Sequence, residues 1–263
     1  MNSFFWTLVF ESFLLSSLVF AGFWFLGRKI NNYSIVDIVW SYAFALIVSF
    51  YSLFAEGWWV RKTILFFMVG AWSLRLGTFL LWRISKAHPE EDNRYQNLRK
   101  KYAPKIASNF FWFFQFQAWS VLLLSLMFLE VCLNTSSELS TLEKMGFVLW
   151  LVAFLGEALA DQQMTSFRKN LKNKGQTCKA GLWRYSRHPN YFFESLIWWG
   201  YFIFALGTSG TFYTIYSPLI ILLLLLKITG VPPAEAQSLK SRGEAYRQYQ
   251  KETSVFVPWF PKI

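Results

Sequence analysis

The sequence predicts an all-α, polytopic membrane helical bundle of about seven transmembrane helices, and three observations predict it. Its 263 residues are 54% hydrophobic and 21% aromatic with only 16% charged, and the mean hydropathy is positive, too apolar for an ordinary soluble domain. Apolar runs of about 20 residues, the length that crosses a bilayer's hydrocarbon core, recur along the whole chain. The basic residues gather between alternate runs, as they do when topology fixes their side of a membrane.

The first run, at about 4–26, has no Lys or Arg before it and is long enough to span, so it is expected to stay as a helix and not be removed as a signal peptide. The second, 35–55, carries Asp37 near its start, and the third, 63–82, carries Arg75 between two leucines. Each of these charges needs a partner or a water-filled cavity, because an isolated charge at the bilayer centre costs roughly 2.5 to 3.5 kcal/mol; an Asp37–Arg75 pair is the simplest arrangement. The loop 83–108 is the longest between runs, and its segment from Glu91 to Arg99 has helix-forming, mixed-charge character. The remaining spans fall at 109–133, 145–167, 190–206 and 211–228, of which 190–206 is short. Pro232 and Pro233 then break the chain before a helix-permissive stretch, Ala234 to Thr253, and an apolar, proline-ended segment, Val255 to Pro261, expected to be docked. No hydrophilic stretch is long enough for a separate domain, so residues 1–263 read as one integral-membrane domain.

Of the 26 Lys and Arg, two lie in 27–34, seven in 83–108, seven in 168–189 and six from 227 onward, all segments preceded by an odd number of runs. The positive-inside rule then puts the N-terminus outside and the C-terminus in the cytoplasm. The net charge of +11 is mostly topological, which argues against nucleic-acid binding. On this topology Cys132 and Cys178 lie on opposite sides and cannot pair, and neither has a neighbour at metal-ligand spacing, so no metal site is expected. The compartment is the inner membrane in a bacterium or the endoplasmic reticulum in a eukaryote. Membrane lipids are the expected surroundings, with no obligate protein partner.

The densest chemistry is the run Gly181-Leu-Trp-Arg-Tyr-Ser-Arg-His-Pro-Asn-Tyr-Phe-Phe-Glu194. Pro189 disfavours helix at His188 and is itself favoured in a first helical turn, so a helix should begin near Pro189 or Asn190. Its free N–H groups would then point toward Arg184 and Arg187, an arrangement suited to an anion. Glu157, Asp161 and Arg168 stand at i, i+4 and i+11, on one helix face, and form either an interfacial ion cluster or a polar wall for a ligand. Tyr246 and Tyr249, three apart in the tail, would shield a ligand or anchor the tail.

These pieces, in order, resemble the steroid 5-alpha-reductase-like membrane family, and most of all its uncharacterised bacterial branch. The resemblance is carried by the 181–194 run with Trp198-Trp-Gly200, by the stretch Tyr246 to Pro261, and by Ser34 to Trp40, Trp72 to Leu76, Glu91 to Tyr95 and Gly156 to Gln163. It implies a seven-helix fold whose C-terminal half, about 145–263, binds NADPH and whose N-terminal half meets the substrate. The implied reaction is hydride transfer to the activated carbon–carbon double bond of a hydrophobic small molecule that enters from the bilayer. On the matching positions Glu157, Asp161, Arg168, Tyr185, Asn190, Glu194 and Tyr249 would serve the cofactor, joined by Arg184, Arg187, His188, Tyr191 and Tyr246. The family's glutamate and tyrosine proton-donating pair has its counterparts here at Asp37 and Trp72. Tryptophan cannot be that acid, which leaves Asp37 or Tyr33 to assist.

The segment Arg187-His-Pro-Asn-Tyr191 also looks like membrane methyltransferases of the isoprenylcysteine and phospholipid type, which use S-adenosylmethionine. The basic stretch 168–187 favours a phosphate-bearing dinucleotide over that ligand, which has no phosphate. A non-enzymatic lipid-binding or transport protein is the third reading, without the internal repeats many transporters show.

Overall fold

A computed structural model describes residues 3–262, which divide between Leu139 and Ser140 into two compact units. Among the described residues regular structure is helical, apart from one isolated parallel bridge between Ser186 and Ser254. Five stretches among the described residues are long and apolar enough to cross a membrane: Ser3–Lys29, Ile35–Phe54, Trp59–Ala87, Ile106–Leu133 and Thr211–Arg242.

The first unit contains α1 (Ser3–Lys29), α2 (Ile35–Phe54), α3 (Trp59–Ala87), α4 (Asn93–Tyr102) and α5 (Ile106–Leu133). α2 packs mainly on α3, and α5 packs on α1 and α2. Each long helix buries one stripe: Phe44, Ile47, Val48 and Tyr51 from α2 meet Val69 and Trp72 from α3 and Phe110 and Phe114 from α5 in the core. Trp72 lies edge-on to Phe44 at 5.4 Å, so the indole is a packing element here. The opposite stripes are also apolar, with Phe10, Leu18, Phe25, Phe67, Trp112 and Phe116 exposed. A soluble protein rarely shows so much apolar surface, whereas lipid solvates it. Polar groups inside are paired across helices: Ser73 Oγ donates to the Ser41 carbonyl at 2.5 Å and accepts from the Ala45 N–H at 3.2 Å, and Ser12 meets the Tyr51 hydroxyl at 3.0 Å. Arg61 is 1% exposed and donates to the carbonyls of Asn134, Ser136 and Glu138, tying the start of α3 to the segment after α5.

The second unit contains α6 (Thr141–Lys169), α7 (Pro189–Ala205), α8 (Tyr216–Leu223), α9 (Val231–Arg242) and α10 (Glu244–Glu252). α6 opens with a capping box in which Ser140 and Glu143 satisfy each other's backbone N–H groups. Its contact with α7 is the most extensive helix pair in the molecule, and glycine makes it. A Cβ on Gly146 would collide with the Phe204 backbone, and one on Gly200 would come within 2.9 Å of the Trp150 backbone. A wide helical turn, Leu224–Ile228, joins α8 toward α9. Pro232 and Pro233 stand in the first turn of α9, where a missing N–H costs nothing, so they start a helix where the sequence had read them as breakers. The helix-permissive stretch 234–253 is helical in two pieces, because Gly243 takes a positive φ of 55° between α9 and α10.

Candidate functional site

α7 starts at Pro189, where the local sequence predicts it, but what fixes its entrance comes from further along the chain. The segment before it is pinned to α6: the Leu182 N–H donates to Gln163 Oε1 at 2.9 Å and the Trp183 indole donates to the Ala160 carbonyl at 2.9 Å. Arg187 is nearly buried. Its Nε meets Glu235 Oε1 of α9 at 2.6 Å, and its Nη1 donates to the carbonyls of Gln250 and Thr253 at 2.8 and 2.7 Å. His188 Nε2 lies 3.3 Å from the same Glu235 oxygen, its ring stacked on Tyr191 with centroids 5.3 Å apart. Gln250 donates to the other carboxylate oxygen of Glu235 at 2.7 Å. The Tyr246 hydroxyl reaches Glu235 at 3.5 Å. The Tyr249 hydroxyl donates to the carbonyls of Trp183 and Ser186. Burial first, and then the neighbouring Tyr246, push the Tyr249 phenol well up, so it remains a donor. The following segment lies along the motif: Arg187 N–H to Ser254 carbonyl at 2.8 Å, Ser186 Oγ to Phe256 carbonyl at 2.7 Å, and Trp259 N–H to Tyr185 carbonyl at 2.9 Å. Arg187, His188, Tyr246 and Tyr249, taken from the sequence as ligand contacts, thus form a latch around Glu235, a residue sequence reasoning passed over.

The residues left facing outward from this latch lie along α6. Glu157, Asp161 and Arg168 share one face of that helix, running from buried through half-buried to exposed. Asn190, in the first turn of α7, donates through Nδ2 to Asp161 Oδ1 at 3.3 Å, while its own Oδ1 is buried with no hydrogen-bond partner. A buried amide oxygen left without a donor is unusual and is what a ligand N–H or O–H satisfies. Glu194, one turn on, accepts from the Trp198 indole at 3.0 Å, which fixes its rotamer. Beyond Asp161 two cavities flank the end of α6. One, about 480 Å³, is lined by neutral residues including Gln162, Gln163, Ser166 and Phe167. The other, about 350 Å³, is lined by Arg168, Lys174 and Arg242 together with Phe167 and Cys178. Arg184 is exposed, and Tyr185 is half-buried with its ring edge-on to Phe260. Lys174 and Arg242 were not singled out in the sequence; only the fold makes them neighbours of Arg168.

Within the first unit Asp37 is held by α4. Its Oδ2 accepts from Arg94 at 2.7 Å and its Oδ1 from the Tyr95 hydroxyl at 2.6 Å, rather than from the Arg75 partner expected from the sequence. Tyr33 is buried against Phe110, centroids 4.0 Å apart, with the Arg99 guanidinium 4.8 Å from its ring. Glu91 joins the two by accepting from the Tyr33 N–H at 2.6 Å and from Arg99 at 2.7 Å. Burial, then the charge of Asp37, push the Tyr95 phenol far up, so it stays a donor to that carboxylate. Burial alone would raise the Asp92 carboxyl, but hydrogen bonds from Arg94 outweigh it and hold the group below its usual range. A folded pKa below the unfolded one contributes stability that is present above the unfolded value and lost as pH falls through the folded one. Asp92→Asn should therefore cost on the order of 1 kcal/mol at pH 7, and the difference from wild type should vanish in melts taken below the carboxylate range. A difference that persists at acid pH would assign the effect to shape instead of charge.

The family described as "Protein of unknown function (DUF1295)" matches residues 23–253. An uncharacterized protein of Schizosaccharomyces pombe is 26% identical over 278 residues, covering 94% of this chain and 77% of that protein. No solved structure matches significantly.

Proposed function

We propose, from the premise that this chain belongs to the DUF1295 family, that it is a membrane-embedded reductase that uses NADPH on a carbon–carbon double bond of a hydrophobic, enone-like lipid. The observation that carries the reading is the polar face of α6: half-buried Asp161 accepting from Asn190, whose own Oδ1 is buried without a donor, then Arg168 beside a basic cavity two helical turns on. A dinucleotide has the same order of chemistry, with neutral ribose and amide groups at one end and phosphates beyond. The motif resemblance supports the same assignment. S-adenosylmethionine has no phosphate to set against the basic lining of the second cavity.

On this reading Asn190 Oδ1 accepts an N–H or O–H of the cofactor, and Asp161 fixes the Asn190 amide. Glu157, 5% exposed, closes the inner end of the strip, and Glu194, locked by Trp198, supports Asn190 from the next turn. Arg168 neutralises phosphate. NADPH supplies the hydride when bound. Asp37, with Tyr95 and Arg94 held on it, is the centre of the first unit's polar cluster, in which Arg94 and Tyr95 carry the hydrogen-bond donors a substrate carbonyl needs. The same reading counts α6 and α7 as two further membrane crossings, with the N-terminus outside and the C-terminus in the cytoplasm. The alternating Lys and Arg segments support that orientation. An active periplasmic reporter fused after Lys262 would reverse it.

A ligand that binds only the folded state raises its melting temperature. Detergent-purified protein should be stabilised by NADPH and not by S-adenosylmethionine, and Asp161→Ala should weaken NADPH about tenfold. Stabilisation by S-adenosylmethionine alone would replace this proposal with methyl transfer.

A further inference from the structure

We infer that the stretch 255–260 is seated in the lipid headgroup layer on the side of the membrane where α6 ends, with Trp259 and Phe260 as its inserted side chains; this rests on the reading of α6 and α7 as membrane crossings. The stretch alternates. Phe256 is buried and meets Phe192 in the first turn of α7, ring centroids 5.8 Å apart, while Val255 and Val257 on either side of it are exposed. Trp259 and Phe260 are 70% and 75% exposed, yet the backbone that carries them is fixed. The Trp259 N–H donates to the Tyr185 carbonyl at 2.9 Å, the Lys262 N–H to the Glu252 carbonyl at 2.8 Å, and the Ser186 hydroxyl to the Phe256 carbonyl at 2.7 Å. A backbone held this firmly presents both large rings outward, and water is a poor solvent for a contiguous apolar surface of that kind.

The depth of the stretch follows from α6. That helix exposes an apolar stripe, Val148, Val152, Leu155 and Leu159, the face that lipid solvates. Gln163 stands one turn past Leu159, about 6 Å further along the axis. It receives the Leu182 N–H, and the segment pinned there leads to Tyr185, which anchors Trp259. The headgroup layer on each side of a bilayer is roughly 5 to 8 Å deep, so the stretch stands where lipid carbonyls and phosphates replace acyl chains. Its chemistry fits that layer. An indole joins an apolar body to one N–H, which is why Trp collects at headgroup level. Pro258 and Pro261 have no N–H to desolvate, and those of Trp259 and Lys262 are already bonded within the protein. Exposed Lys262 follows the aromatic pair and exposed Arg184 precedes the Tyr185 that anchors it, cations suited to lipid phosphate. Because the same stretch lies along the motif before α7, the bilayer becomes part of what holds that entrance.

The test is a depth measurement by electron paramagnetic resonance on the full chain in nanodiscs of mixed zwitterionic and anionic phospholipid. Nitroxide labels enter singly through Val257→Cys, Trp259→Cys and Phe260→Cys, and each is compared for collisions with oxygen, which concentrates in lipid, and with a water-soluble nickel chelate. The native Cys132 and Cys178 are buried, so the introduced thiols take the label. The label at 257 leaves both aromatic rings in place. Leu155→Cys on the α6 stripe is the lipid reference, and Leu171→Cys, 85% exposed just after α6, is the aqueous one. The expected result is an oxygen-to-nickel collision ratio at 257, 259 and 260 well above that at 171 and below that at 155. A water-like ratio at all three, with a lipid-like ratio at 155, would overturn the inference and leave α6 a crossing. Labels shielded from both reagents would mean that protein, a second copy or another chain, covers the stretch, and would overturn it as well. A water-like ratio at 155 would remove the crossing reading and this inference together.

Discussion

Gly146→Ala is expected to destabilise the second unit by about 3 kcal/mol, the upper end of what one inserted methyl costs in a packed interior. In an open helix the same change stabilises, because alanine loses less backbone entropy, a gain of roughly 0.5 to 1 kcal/mol. Two facts reverse the sign here. The new carbon would meet the Phe204 backbone, which cannot rotate away as a side chain tip would, and the Gly200 carbonyl at 2.8 Å. α7 must then lift off α6, taking Asn190 away from Asp161, so ligand binding should fall with stability. Gly22→Ala in α1 is the control: nothing lies within 4 Å of its added carbon, and it should be neutral or slightly stabilising. Thermal melts of the two variants, side by side in one detergent, check the pair. Equal effects would mean that α6 and α7 do not depend on backbone contact at this crossing.

Arg187→Ala should cost about 3 to 5 kcal/mol, the range for removing one partner of a buried ion pair. The guanidinium and Glu235 are only 10% and 16% exposed, and the same guanidinium also satisfies the Gln250 and Thr253 carbonyls. Glu235 would keep Gln250 and His188 but lose its only close cation among the described residues, and two carbonyls would lose donors. The contrast is Arg247→Ala, whose pair with Glu244 lies at 66% and 72% exposure and should change stability by less than about 1 kcal/mol. If the two melt alike, the latch is ornamental. A loss of cofactor affinity in Arg187→Ala without loss of stability would return Arg187 to the ligand-contacting role its sequence position first indicated.

What the sequence made legible was what neighbouring residues decide. The start of α7 at Pro189 follows from one proline and the residue before it, and α4 follows from a short mixed-charge stretch. The spans at 35–55 and 109–133 agree closely with Ile35–Phe54 and Ile106–Leu133, since apolar length is a local property. Pairings across the chain were not legible. Asp37 meets Arg94 57 positions further along, and Arg187 meets Glu235 48 positions further along, where the local sequence around each partner reads only as a polar surface. For the same reason Lys174 and Arg242 belong to one cavity that no spacing rule would assemble. Tyr246 and Tyr249 stand three apart in the tail, but whether they meet a ligand or the chain itself depended on Trp183, Ser186 and Glu235.

The latch also has a meaning during synthesis. Arg187 leaves the ribosome 48 residues ahead of Glu235 and 66 ahead of Thr253. At roughly 5 to 20 residues per second the first of those waits lasts about 2 to 10 seconds. During that time the entrance of α7 holds Arg187 and His188 without Glu235, Gln250 or Thr253. Variants that weaken Glu235 would then show their defect first as reduced yield of the nascent protein, before any difference in the mature one.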